Sequence, residues 1–125
     1  MPSQKAVKTY VDAKCVEIGD LSAYHKTVTD FSTTGSYTDL DLSAILPAGT
    51  ICFEFIIKVN GTGGQAIAFR RKGYSDYTSV YAKVQATSQE TCFAFTIECG
   101  SSRVIQYYRE ANCTTANFAI RRYWK

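Results

Sequence analysis

The sequence predicts an all-β fold, an antiparallel β-sandwich of jelly-roll-like type with a short N-terminal α-helix. Three observations predict it. Apolar residues recur at every second position in short runs, the period of a half-buried strand. Turn residues separate those runs at regular intervals, as in sandwiches and barrels. Tyrosine is enriched, with nine Tyr beside seven Phe and one Trp in 125 residues, and aromatic side chains suit a pleated surface. No long helical period interleaves the strands, which argues against a parallel α/β sheet.

The elements follow in order. Residues 1–14 read as a helix, with Ser3 as N-cap and Val7, Tyr10, Val11 and Lys14 at i, i+3, i+4 and i+7. A helix this short is marginal alone in water, so its Val/Tyr stripe must be buried against its own domain or against copies of itself. From Cys15 the period changes to two, and residues 15–125 form the predicted head. Val16 and Ile18 alternate with Glu17, and residues 24–31 alternate loosely. Residues 37–43 place Leu40 and Leu42 inward and Asp39 and Asp41 outward, before a turn at Leu46-Pro47-Ala48-Gly49. The clearest strand has Ile51, Phe53, Phe55, Ile57 and Val59 on one face. Asn60-Gly61-Thr62-Gly63-Gly64 then signals a hairpin, with residues 65–71 as the returning strand. Further strands are predicted at residues 78–84, around Phe93, Phe95 and Ile97, at 103–109, and at 115–123.

Composition narrows the function. The net charge of +3 is mild and its basic residues are dispersed, apart from Arg70-Arg71-Lys72 and Arg121-Arg122. That is not the concentrated basic face of a nucleic-acid-binding protein, so no nucleic-acid partner is expected. The longest apolar run, residues 51–59, is interrupted by Glu54 and Lys58. It falls far short of the ~20 residues of a spanning helix, so no membrane insertion is expected. No signal-peptide pattern opens the chain. The five cysteines, Cys15, Cys52, Cys92, Cys99 and Cys113, are odd in number and show no Cys-x2-Cys spacing. They read as small buried hydrophobes, with a pair or a thiolate site among Cys92, Cys99 and Cys113 as the alternative.

Enzyme motifs are absent: there is no phosphate loop and no nucleophile elbow, and His25 is the single histidine. No catalytic residue, metal site or cofactor is therefore assigned. Asp39 and Asp41 share a strand face and read as a solvated surface rather than a calcium or acid–base pair. Asn60-Gly61-Thr62 and Asn112-Cys113-Thr114 match the glycosylation sequon and read as turns. Arg70, Arg71, Tyr74 and Tyr77 are the candidate binding surface, because aromatic rings beside polar side chains serve both protein and sugar recognition.

Four stretches carry a family resemblance. Residues 3–12, SQKAVKTYVD, resemble the EKAVKTYVD segment common in bacteriophage tail-fibre and related virion-fibre proteins. More loosely, YTDLDLS at residues 37–43, LPAG at 46–49 and FRRKG at 69–73 are similar to patterns in the β-sandwich knobs of such proteins. The resemblance implies a non-enzymatic virion protein made in the host cytoplasm, either a tail or head fibre or a capsid-decoration head. It implies a homotrimer with Val7, Tyr10 and Val11 in the seam, partnered by capsid or tail proteins and by a host-surface glycan or protein. The alternative is a carbohydrate-binding module of a cellular enzyme or adhesin.

Overall fold

A computed structural model describes residues 15–75 and 79–125. The predicted helix of residues 1–14, with Val7, Tyr10 and Val11, and the predicted site residue Tyr77 lie outside the described residues. Among the described residues there are eight strands: β1 Cys15–Glu17, β2 Thr38–Asp41, β3 Cys52–Gly61, β4 Ala66–Arg71, β5 Val80–Lys83, β6 Thr91–Glu98, β7 Val104–Arg109 and β8 Cys113–Trp124. They form two four-stranded antiparallel sheets, β1-β8-β3-β6 and β2-β7-β4-β5. The pairing is nested. The first strand lies beside the last, β2 beside β7, β3 beside β6 and β4 beside β5. This is the winding of a jelly roll, in which one long hairpin is folded over itself into a sandwich.

The alternation read from the sequence decides which residues meet between the sheets. On β3, Phe53, Phe55, Ile57 and Val59 are fully buried, while Cys52, Glu54, Ile56 and Lys58 face outward and are only half-buried. Ile67 and Phe69 on β4, Ile105 and Tyr107 on β7, and Phe118 and Ile120 on β8 complete the core, with Leu40 and Leu42 inward as expected. Its centre is aromatic: Phe55 lies 4.7 Å from Phe118, 5.0 Å from Phe69 and 5.8 Å from Phe95 by ring centroid. Phe31 stands edge-on against Tyr107 at 5.0 Å. The Tyr107 hydroxyl accepts the Ser32 N–H at 2.8 Å, which pins the long β1–β2 connection over the end of the core.

Three expectations are corrected. Residues 60–64 close no hairpin: β3 pairs with β6 and β8, and β4 with β5 and β7, so the segment carries the chain from one sheet to the other. Residues 24–31 form no strand. They contain one bridge, Lys26 to Phe118, and a 3-10 turn over Val28–Asp30 closed by a capping box between Thr27 and Asp30. A local side-chain bond to the backbone outcompetes a ladder there. Ile51, expected in the core, is 59% exposed. It lies one residue before β3, its backbone still bonded to Trp124 and Cys99 on either side, with its side chain at the exposed margin of the core. The cysteines divide similarly: Cys99 and Cys113 are buried, Cys15 and Cys52 are intermediate, and Cys92 is exposed on edge strand β6. All five are free thiols.

His25 closes the edge of the first sheet. Its Nδ1 accepts the Ile120 N–H at 2.9 Å, just beyond the last β1–β8 pair. Burial, and then the neighbouring Lys26 charge, hold its pKa below the ordinary imidazole value. Protonation would remove the acceptor. The unfolded chain therefore binds a proton more readily, and stability is full above about pH 6.5 and falls as pH drops through and below it. We expect the urea midpoint to decrease between about pH 7.5 and 5.5, and the decrease to shrink in His25→Gln. A wild-type profile no steeper than that of the variant would contradict this.

Candidate functional site

Sheet topology sorts the predicted surface residues. Successive residues on a strand point to opposite faces, so Arg70 and Arg71 at the end of β4 cannot line one surface. Arg70 faces outward from the second sheet. Its Nε donates to Gln106 Oε1 at 3.0 Å, and its guanidinium lies 3.7 Å from the centroid of the Tyr37 ring. Arg71 turns instead toward the end of the sandwich, where it pairs with Glu98 and lies 4.9 Å from the Tyr74 ring. The expected quartet is thus divided: Arg71 and Tyr74 form one small patch and Arg70 belongs to another.

The second group is the larger. Along the outer face of the second sheet, Asp39, Gln106 and Arg70 stand in register on β2, β7 and β4. Asp39 accepts from Lys72 Nζ at 2.7 Å and from Gln106 Nε2 at 3.1 Å. These two bonds, Lys72 first, hold its carboxyl below the usual carboxylate range. The next row across the sheet is Tyr108 on β7, Ala68 on β4 and Tyr81 on β5. Tyr37, just before β2, joins it: its ring is tilted 48° against Tyr108 at 5.8 Å, and its hydroxyl meets Ser79 Oγ at 2.7 Å. Behind them Glu110 closes the row, its N–H donating to the Ala66 carbonyl and its Oε1 accepting the Ala66 N–H, both at 3.0 Å.

The outcome is a cleft of about 180 Å³ lined by Tyr37, Ala66, Ala68, Tyr81, Tyr108 and Glu110. The tyrosine count pointed towards such a face, but the residues chosen from the sequence did not. Tyr37, Tyr81 and Tyr108 are far apart in the chain, and the β2-β7-β4-β5 pairing brings them together. Ala66-Ile67-Ala68 held the missed signal. Small residues at i and i+2 on a central strand leave a gap on one face of the sheet.

The two ends of the described residues meet. Cys15 registers with Trp124, the penultimate residue, so the described chain begins and ends at one corner of the first sheet. The β2–β3, β4–β5 and β6–β7 connections lie at that same end of the sandwich, and Arg71 and Tyr74 lie there too. The tyrosine cleft lies on the outer face, toward the opposite end, where Ala66 and Glu110 begin and follow their strands.

Among the described residues no group of three or more His, Cys, Asp or Glu is placed to hold a metal ion. Among the described residues no nucleophile or carboxylate is bonded to His25, and its Nδ1 is occupied by the Ile120 backbone. No protein-family model matches the chain, and no curated protein matches it. Among solved structures it is similar to the coat protein of Tobacco streak virus, at 11% identity over 89% of this chain and 83% of that one, with a TM-score of 0.38.

Proposed function

We propose that this chain is a non-enzymatic structural protein of a virion, a compact trimeric head of a fibre or capsid decoration, attached through its N-terminal segment. The observation that supports it is the nested winding of the two sheets, which brings the start of β1 and the end of β8 to one corner. Double-sheet jelly rolls of this kind recur in viral capsids and in lectin domains. Attachment at that corner leaves the opposite end of the sandwich and the outer face of the second sheet turned away from the particle. The resemblance of residues 3–12 to fibre proteins supplies the virion part of the reading, since fold alone does not assign function.

The reading orders the surfaces. Arg71 and Tyr74 share the attachment end and suit contact with a capsid or tail protein. A host-facing role falls to the tyrosine cleft. The seam is assigned to Val7, Tyr10 and Val11, whose stripe needs burial that a lone short helix does not provide.

Light scattering on the full chain tests this. The expected mass is that of three 13.9 kDa copies. Val7→Glu, Tyr10→Glu and Val11→Glu together are expected to yield monomers with an unchanged far-UV β signal. A monomeric wild type would overturn the trimer, and a triple variant that stays trimeric would overturn the seam. Particles banded from a producing culture should contain the chain in stoichiometric amounts; its confinement to the soluble fraction would overturn the virion assignment.

A further inference from the structure

We infer that a groove on the outer face of the first sheet receives residues 3–12 of a neighbouring copy. The inference rests on the trimer reading and supplies the surface that buries the Val7, Tyr10 and Val11 stripe. Ile56 is the floor, set between Ala119 on β8 and Ala94 on β6. Both flanking side chains are small, which leaves the sheet flat and apolar there. The wall is the chain after β1. It bonds to β8 at Ile18, opposite Arg121, and again at Lys26, opposite Phe118. Residues 19–25 therefore face only Ala119 and Ile120, and the surplus chain bulges outward. Leu21 and Tyr24 on this wall remain 43% and 38% exposed, although both are large and apolar. Cavities of about 440 and 530 Å³ adjoin along it, sharing Asp20, Leu21, Ile56 and Ala119, and form one groove.

The segment before Cys15 matches this groove in length and charge. Glu54 to Lys58 on β3 span about 13 Å. Residues 3–12, as the helix their periodicity predicts, span about 15 Å. Lys58 stands at one end of the groove and Glu17 and Asp20 at the other. Arg121 and Arg122 at that second end are already paired with Glu54 and Glu17. Lys5 and Lys8 precede Asp12 in the segment, so Asp12 toward Lys58 brings opposite charges together at both ends.

Chain direction favours a neighbour over the chain's own body. Cys15 registers with Trp124 at the end of the sheet, and the groove lies from Glu17 onward, along the chain's forward course. Returning over its own groove would require the segment to reverse at Asp12-Ala13-Lys14, which contains neither Gly nor Pro. A copy related by a three-fold axis offers the same groove without that reversal. One segment in the next copy's groove is a heterologous contact, and three such contacts close a ring.

Light scattering on the full chain tests this. Ile56→Glu and Leu21→Glu lie outside the inter-sheet core, and each is expected to raise the concentration at which the trimer dissociates at least about tenfold. Leu21→Glu, at an exposed position, keeps the test usable if Ile56→Glu fails to fold. Mixing Ile56→Glu with the Val7, Tyr10 and Val11 triple variant leaves one intact junction, the segment of the first in the groove of the second. The mixture is expected to form particles of two copies where each variant alone is monomeric. A wild-type trimer undiminished in both groove variants would overturn the groove and leave the seam standing; a monomeric wild type would overturn the trimer reading itself. Groove variants that dissociate, with a mixture that stays monomeric, would return the segment to its own chain and overturn the exchange.

Discussion

Phe55→Ala is expected to cost about 3–5 kcal/mol of folding stability. Phe55 is fully buried at the middle of β3, the strand that pairs with both β6 and β8. Its ring meets Phe118 of the same sheet at 4.7 Å and Phe69 of the opposite sheet at 5.0 Å. Removing it takes away a ring that contacts both layers and leaves a void walled by other rings. Those rings sit on strands held by backbone ladders, so they cannot close the gap. Domains of this size are stable by about 5–15 kcal/mol, so the variant should be close to unfolding at physiological temperature. Phe93→Ala provides the comparison. Phe93 is only half-buried on edge strand β6, stacked on Phe95 at 5.8 Å, and its loss should cost about 1–2 kcal/mol. Urea denaturation checks both; equal losses would contradict a core centred on Phe55.

The layers of this fold were legible in the sequence because the physics of a half-buried strand is local. Phe53, Phe55, Ile57 and Val59 alternate with outward residues, and the structure buries all four. Leu40 and Leu42 face inward for the same reason. Where the outcome depended on a competing local bond, the period misled. The Thr27–Asp30 capping box turns residues 28–30 into a 3-10 turn, although Thr27, Val28, Thr29 and Asp30 alternate as a strand would. Ile51 has the right parity for the core and lies one residue before β3, at the exposed margin of the core.

The site was less legible than the fold for a different reason. A sequence lists neighbours along the chain, and the predicted surface joined Arg70, Arg71, Tyr74 and Tyr77 because they are close there. A strand sends Arg70 and Arg71 apart, and Arg71 pairs with Glu98, a residue on another strand. The cleft instead collects Tyr37, Tyr81 and Tyr108 through cross-strand register, which pattern reading does not supply. The nested pairing supplies it: once β4 is known to lie between β7 and β5, the alanines of β4 must face a tyrosine on each side.

At the end of β3, where its ladder with β8 shifts register, Gly61→Ala is expected to cost on the order of 3 kcal/mol. Gly61 ends β3 at φ +145°, a conformation that side chains resist. It lies at a register shift where β3 slips by one residue against β8, so that Asn60 pairs with Thr115 and Gly61 with Cys113. A Cβ there would overlap the Asn112 carbonyl oxygen and lie 3.0 Å from the Thr114 amide. Both are backbone atoms, and neither is free to move. The Asn112 carbonyl accepts the Thr62 N–H at 2.9 Å, and the Gly61 carbonyl accepts the Ser88 N–H at 2.9 Å. Relief of the overlap would break a junction shared by three connections at one end of the sandwich. Gly64→Ala separates the two causes. Gly64 has φ +90° with open space around it, so alanine there bears only the conformational cost, about 1–2 kcal/mol. If the two variants lose equal stability in urea, conformation alone accounts for Gly61. A loss at Gly61 at least 1 kcal/mol larger, together with amide exchange accelerated at Thr62 and Ser88, would place the cost in the backbone overlap.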